Sequence, residues 1–243
     1  MRLTVVTPTL NSASTVRDCI ESVLTQDYPD IEHIVIDGGS TDSTLEIVNS
    51  YGVACVSERD AGIYDAFNRG VRAATGEIVH ILNSDDQYSS QDCVSAVMSF
   101  MQDQQLELCH GYAEQVTSEG ERFRRIGKDL TRRELLAKMR VAHPATFVAK
   151  SVYKKYGDYS VGFKIAADHD FLLRVWDKVE VGFLPRTLVR MRVGGISTSQ
   201  FVRSYRESMA ASIINGHPPL KAYARYVYEI GKNGALSVLR RSP

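Results

Sequence analysis

Nothing in this 243-residue sequence approaches the length of an apolar membrane span. Its first residues, Met1-Arg2-Leu3-Thr4, run into a strand pattern rather than the apolar stretch of a signal peptide. The expectation is a soluble, cytoplasmic chain with at most peripheral contact on the inner face of the cell membrane. Net charge is lacking too: 29 Lys and Arg offset 29 Asp and Glu, which argues against a nucleic-acid partner. Cysteine is sparse, and Cys19, Cys55, Cys93 and Cys109 form no C-x-x-C pair, so they read as reduced core thiols. There is no G-x-G-x-x-G after the first strand and no G-x-x-x-x-G-K-[S/T] anywhere. A nucleotide bound here would therefore have its phosphates held by a metal rather than by a glycine loop.

What is present is an ordinary globular composition, 44% hydrophobic and 24% charged, enough for one large α/β domain. Strand-like and helix-like stretches alternate. Leu3 to Thr7 reads as a strand, and Val16, Cys19, Ile20, Val23 and Leu24 form one stripe of an amphipathic helix. Ile31 to Ile36, Val53 to Val56 and Ile78 to Leu82 are further strands with helices between them, which predicts a parallel sheet with right-handed crossovers. Later come a strand near Leu106 to Tyr112, a hairpin or loop over Glu114 to Lys128, an extended segment from His143, and a strand over Val181 to Met191. Gly194 to Ser199 reads as a flexible loop, and helical patterns follow to the end. The simplest division is a domain over residues 1–200 and a helical extension over 201–243.

The polar residues fall at strand ends. Asp37, Asp60 and Asp85 each follow a different strand, and such a sheet brings those ends to one rim, where open α/β folds bind ligands. Asn83-Ser84-Asp85-Asp86, directly after the fourth strand, suits a hard divalent cation that keeps water and also binds phosphate; capping of a helix is the plainer reading. Asp168 and Asp170 flank His169 where a helix begins, and permit either N-terminal capping or a carboxylate poised as general base. From Phe201 onward seven Lys and Arg face two Glu. Leu220, Tyr223, Ala224, Val227 and Tyr228 share a helical face there, suited to an anionic membrane surface, to the domain itself or to a second subunit of a homodimer.

Taken together, Thr7-Pro8-Thr9-Leu10-Asn11, Asp37-Gly38-Gly39-Ser40-Thr41-Asp42, Ser57 to Gly70, Asn83 to Asp86 and Ala167-Asp168-His169-Asp170 resemble the family 2 glycosyltransferases of the GT-A fold. The branch that builds bacterial surface polysaccharides is the nearest likeness. The resemblance implies a Rossmann-like, mostly parallel sheet flanked by helices. It also implies inverting transfer of a sugar from a nucleotide-sugar, most readily a UDP-sugar, to a hydroxyl of a saccharide or lipid-linked saccharide. Carried over by motif, Thr7, Pro8, Asn11, Asp37, Asp65, Arg69 and Ser84 would line the nucleotide-sugar site, with Asp37 on the base. Asp85, assisted by Asp86, would hold Mg²⁺ or Mn²⁺. Asp168 would be the catalytic base, and His143 and Asp170 would belong to the acceptor site. Asn83 stands where the family's D-x-D motif has its first acid, and Ala167 where a Glu often precedes the base. The Q-x-x-R-W motif of processive synthases is missing, which implies one sugar per encounter. A sugar-nucleotide nucleotidyltransferase and a non-catalytic nucleotide-sugar-binding protein are the alternatives.

Overall fold

The computed structural model describes residues 1–117, 120–194 and 199–239, so positions 195–198 of the expected loop and Arg240 and Arg241 of the tail lie outside the described residues. The N-terminal half follows the alternation that hydrophobic periodicity predicts. Strands β1 (Leu3–Thr9), β2 (Ile31–Asp37), β3 (Ala54–Ser57) and β4 (Ile78–Ile81) are linked by helices α1 (Val16–Leu24), α2 (Thr44–Ser50) and α3 (Ile63–Ala73). They lie in the order β3-β2-β1-β4, all parallel. Successive residues of β1 feed opposite faces: Val6 packs with Ile36, Phe67 and Ile81, whereas Leu3 and Val5 pack with Cys19, Ile78 and Val97. Helix α3 lies close enough on the sheet that a Cβ at Gly70 would come 2.1 Å from Val6 Cγ1.

The second half makes the sheet mixed. Strand β5 (Asp86–Tyr88) precedes helix α4 (Cys93–Asp103), strands β6 (Leu108–Val116) and β7 (Arg122–Ile126), and helix α5 (Arg132–Ala137). Strand β8 (Thr146–Ala149), helices α6 (Lys150–Tyr156) and α7 (Ala167–Val175), and strand β9 (Val181–Arg192) follow. Strand β8 runs antiparallel between β4 and β6, β7 closes a hairpin with β6, and β9 runs parallel to β6. Strand β5 pairs antiparallel with β9 and places Asp86 opposite Met191. Three residues are too few to show a period, so this strand is invisible in the sequence. The segment at His143 also departs from expectation: His143–Ala145 is a 3₁₀ turn, with Pro144 at its start, where a missing amide costs nothing. None of the four cysteines is in a disulfide; Cys19, Cys93 and Cys109 are buried and Cys55 is half-buried.

Helices α8 (Phe201–Ile214) and α9 (Pro219–Leu239) pack back onto the domain. The Glu207 carboxylate accepts the backbone amides of Lys164, Ile165 and Ala166 at 2.8, 2.7 and 3.3 Å, just before α7. The face of α9 turned inward carries Ala222 and Glu229, and Glu229 pairs with Lys138 at 2.9 Å. The apolar stripe points outward: Leu220 is 86% exposed and Tyr223 59%. Among the described residues no helix is long and apolar enough to cross a membrane.

Candidate active site

The carboxyl ends of β1 and β4, the loop after β3 and the start of α7 surround a cleft of about 1980 Å³. Pro8, Asn11, Asp65, Ser84, Asp85, Asp86, His143 and Asp168 all line it, so most of the acids singled out in the sequence converge. The convergence follows from topology: parallel strands present the same end to one rim, and crossover helices return each chain segment to it.

The β1–α1 loop is tied to the β2–α2 loop. Asn11, in the left-handed region at φ 51°, accepts the Thr41 amide on its side-chain oxygen at 2.9 Å, and its own amide donates to the Ser40 hydroxyl at 2.8 Å. The Ser84 and Ser12 hydroxyls meet at 2.8 Å across the cleft floor.

Four residues assigned by motif do not line the cleft. Thr7 is fully buried and its hydroxyl bonds the His33 ring at 2.9 Å, on the sheet rather than in the cleft. Asp37 is also fully buried, and five donors fill its carboxylate: the Thr9, Ser40 and Ser57 hydroxyls and the Gly39 and Ser40 amides. Burial pushes its carboxyl up, but the Ser40 and Ser57 hydroxyls and those amides outweigh burial and hold it below the usual range. Here it organises the turn between β2 and α2. Arg69 spans the loop after β3, donating to the Glu58 and Arg59 carbonyls at 3.2 Å each and pairing with Asp65 at 3.2 Å, so its guanidinium is occupied. Asp170 lies off the cleft, 4% exposed, paired with Arg174 at 3.0 Å and accepting Asn215 Nδ2 at 2.9 Å.

Asp168 is the acid of that helix that stays available. Its Oδ1 accepts the His169 amide at 2.8 Å and lies 3.2 Å from the Tyr64 hydroxyl, while Oδ2 has no partner among the described residues. Neither acid caps the helix through its side chain; Glu207 meets the preceding amides instead. His143 stacks on Phe67 at 5.5 Å and bonds the Tyr159 hydroxyl at 2.9 Å, and burial lowers its pKa, keeping it neutral. Tyr64, Tyr159 and Glu207 were not found from the sequence. Tyr64 sits next to Asp65 inside a recognisable stretch, but nothing local says that its hydroxyl reaches a residue 104 positions away.

The residues at the end of β4 fit a divalent cation. Asn83 Oδ1 is buried with no hydrogen-bond partner, while its Nδ2 donates to Asp86 Oδ2 at 2.9 Å. Burial pushes the Asp85 carboxyl up; burial and then the Asp85 charge push Asp86 well up. A cation would relieve an orphaned acceptor and two desolvated carboxyls at once. Among the described residues no three His, Cys, Asp or Glu close around one point, so the chain supplies a partial shell of the kind that phosphate and water complete.

A mixed, mostly parallel α/β sheet with an acid-rimmed cleft at its strand ends defines a GT-A-type enzyme. Residues 4–157 match the model of glycosyl transferase family 2, and the chain belongs to that family. A PGL/p-HBAD biosynthesis glycosyltransferase of Mycobacterium bovis is 35% identical over 178 residues, covering 70% of this chain and 68% of the relative. An uncharacterized glycosyltransferase of Mycobacterium tuberculosis is 33% identical over 177 residues, covering 71% and 68%. In fold the chain is similar to S. aureus TarS 1–349 in complex with UDP-GlcNAc, at TM-score 0.69 and 18% identity over 93% of this chain and 70% of that one. It is similar also to the mannosyltransferase PcManGT from Pyrobaculum calidifontis in complex with GDP-Man and Mn²⁺, at TM-score 0.68 and 17% identity over 98% and 80%. The protein is a glycosyltransferase.

Proposed function

We propose that the protein moves one sugar, with inversion at the anomeric carbon, from a nucleotide-sugar to a hydroxyl of a saccharide or lipid-linked saccharide. The setting would be the synthesis of surface polysaccharide. The observation that carries this reading is that Asp85, at the end of β4, and Asp168, at the start of α7, line one cleft with Pro8, Asn11 and Ser84. UDP-GlcNAc on TarS and GDP-Man with Mn²⁺ on PcManGT make a nucleotide-sugar the natural donor.

Asn83, Asp85 and Asp86 would hold Mg²⁺ or Mn²⁺, which when bound stabilises the charge developing on the departing diphosphate. Asp85 lines that end of the cleft. Asp168 removes the acceptor proton at Oδ2, the oxygen left open, as the alcohol attacks from the opposite side of the sugar. Tyr64 and the His169 amide hold Oδ1 and so fix the direction in which Oδ2 accepts. Neutral His143 and the aromatic wall of Phe67 and Tyr159 shape the acceptor side. The outward face of α9, Leu220, Tyr223, Val227 and Tyr228 beside Lys221, would rest on an anionic membrane bearing a lipid-linked acceptor, placing the enzyme on the cytoplasmic side.

Transfer from UDP-sugars with Mn²⁺ tests the reading. Asp168→Asn should melt like the wild type and lose about 10²–10⁴-fold in turnover, the range a positioned general base contributes. Turnover near wild type would remove Asp168 from the mechanism. Co-sedimentation with anionic vesicles that is unchanged in Leu220→Glu/Tyr223→Glu would remove the membrane contact.

A further inference from the structure

Helix α7 carries Asp168 but does not secure its own entry. Ala166 stands at the cap position and has no side-chain acceptor to offer. The amides of Lys164, Ile165 and Ala166 are gathered instead by one oxygen from another helix, Glu207 Oε2 on α8, at 2.8, 2.7 and 3.3 Å. They have no other acceptor among the described residues, and Ile165 and Ala166 are buried, so water does not replace it. Resting on the reading of Asp168 as the base, we propose that Glu207 is a positioning residue for the transfer: it fixes residues 164–166 and so sets where Asp168 stands in the cleft. The extension after residue 200 is then part of the catalytic unit rather than an appendage to it.

The grip is passed on to the base by contacts on both sides of this segment. Ile165 gives its amide to Glu207, while its carbonyl accepts the Tyr64 hydroxyl at 2.7 Å, the same hydroxyl that lies 3.2 Å from Asp168 Oδ1. The Ala166 carbonyl accepts the Asp170 amide at 3.1 Å, so the peptide units held by Glu207 run without a break into the turn that bears Asp168. Lys164 Nζ donates to the Ala61 carbonyl at 3.2 Å, tying the same segment to the loop after β3. Glu207 is itself held: Arg203, one turn earlier on α8, donates Nε to its other oxygen at 2.8 Å. Helix α8 touches α7 at a second point, where Asn215 donates to Asp170 Oδ1 at 2.9 Å, off the cleft. A change at Asn215 therefore loosens the same pair of helices and leaves the turn before Asp168 in place.

Steady-state release of UDP or GDP by the full chain tests this, with Mn²⁺ and whichever of UDP-GlcNAc, UDP-glucose and GDP-mannose the wild type turns over. Glu207→Asp keeps the charge but draws the carboxylate back by one methylene from the three amides. It should lower kcat about 10–100-fold with KM for the nucleotide-sugar little changed, since a misplaced base slows the chemical step and not donor binding. Glu207→Gln keeps an oxygen at the original reach and should retain most of kcat. Asn215→Ala should lower the melting temperature and leave kcat near wild type. Adding Glu207→Asp to Asp168→Asn should cost nothing further, because Glu207 acts through the base, whereas a general loosening of the fold would slow both backgrounds alike. A wild-type kcat in Glu207→Asp, an equal loss in Asn215→Ala, or a further loss on top of Asp168→Asn overturns the assignment to Glu207. Turnover near wild type in Asp168→Asn, or a wild type that turns over none of the three sugars, overturns instead the reading on which it rests.

Discussion

The Tyr64 hydroxyl shares its proton between the Ile165 carbonyl at 2.7 Å and Asp168 Oδ1 at 3.2 Å, joining the first turn of α3 to the first turn of α7 across the cleft. Burial and then the Asp168 charge push the Tyr64 phenol well up, so the hydroxyl keeps its proton and acts as a fixed donor. Tyr64→Phe should lower kcat about tenfold with KM little changed, because the bond orients the base without touching the donor. Steady-state kinetics with the melting temperature as control would check this, and an unchanged kcat would make the contact purely structural.

At the other end of the cleft, Asp85→Asn should weaken Mn²⁺ binding in the presence of UDP by about 10–100-fold while the fold persists. Asn83→Ala should also weaken it, since the amide oxygen is an orphaned acceptor rather than a structural one. Titration calorimetry of Mn²⁺ onto the UDP complex reads both. Equal affinities in all three proteins would move the metal elsewhere.

Asp170 and Arg174 make an ion pair whose acid is almost fully buried and also receives Asn215 from the end of α8. Asp170→Ala takes this acceptor from the half-buried Arg174 guanidinium, which keeps the Asp158 carbonyl, and from the Asn215 amide, and should cost about 1.5–3 kcal/mol of stability by denaturant unfolding. Turnover per folded molecule should stay near wild type, which separates Asp170 from its neighbour Asp168.

Acid stability should report the donor-filled carboxylates. Asp37 is held below its ordinary 3.8 despite burial, and Glu207 below its ordinary 4.5 because the Ile165, Lys164 and Ala166 amides and Arg203 outweigh burial. A folded pKa below the unfolded one gives stability that is complete above the unfolded value and is lost as pH falls through the folded one. Melting temperature should therefore drop steeply below about pH 4, and Asp37→Asn should flatten that slope while lowering stability at neutral pH.

Helix α3 sits on β1 at a distance only glycine allows. Gly70→Ala would drive a Cβ to 2.1 Å from a buried Val6 methyl, and should cost about 1–3 kcal/mol as the helix is pushed off the sheet. An unchanged unfolding midpoint would show that Val6 can turn aside.

The alternation of strand and helix and the acids at strand ends were legible in the sequence, because hydrophobic period and turn chemistry act over a few residues, whereas Asp168 was set apart from Asp170 only by the family resemblance. Strand β5 was not, since three residues carry no period. The sequence alone also could not say which acids stay free. Asp37 and Asp60 both follow strands, yet only the first is closed by hydroxyls from Thr9 and Ser57. Asp168 and Asp170 share one helical turn, yet only Asp170 meets Asn215, 45 residues on. A carboxylate's availability depends on the donors that other segments bring to it, and those come into range only when the chain has folded.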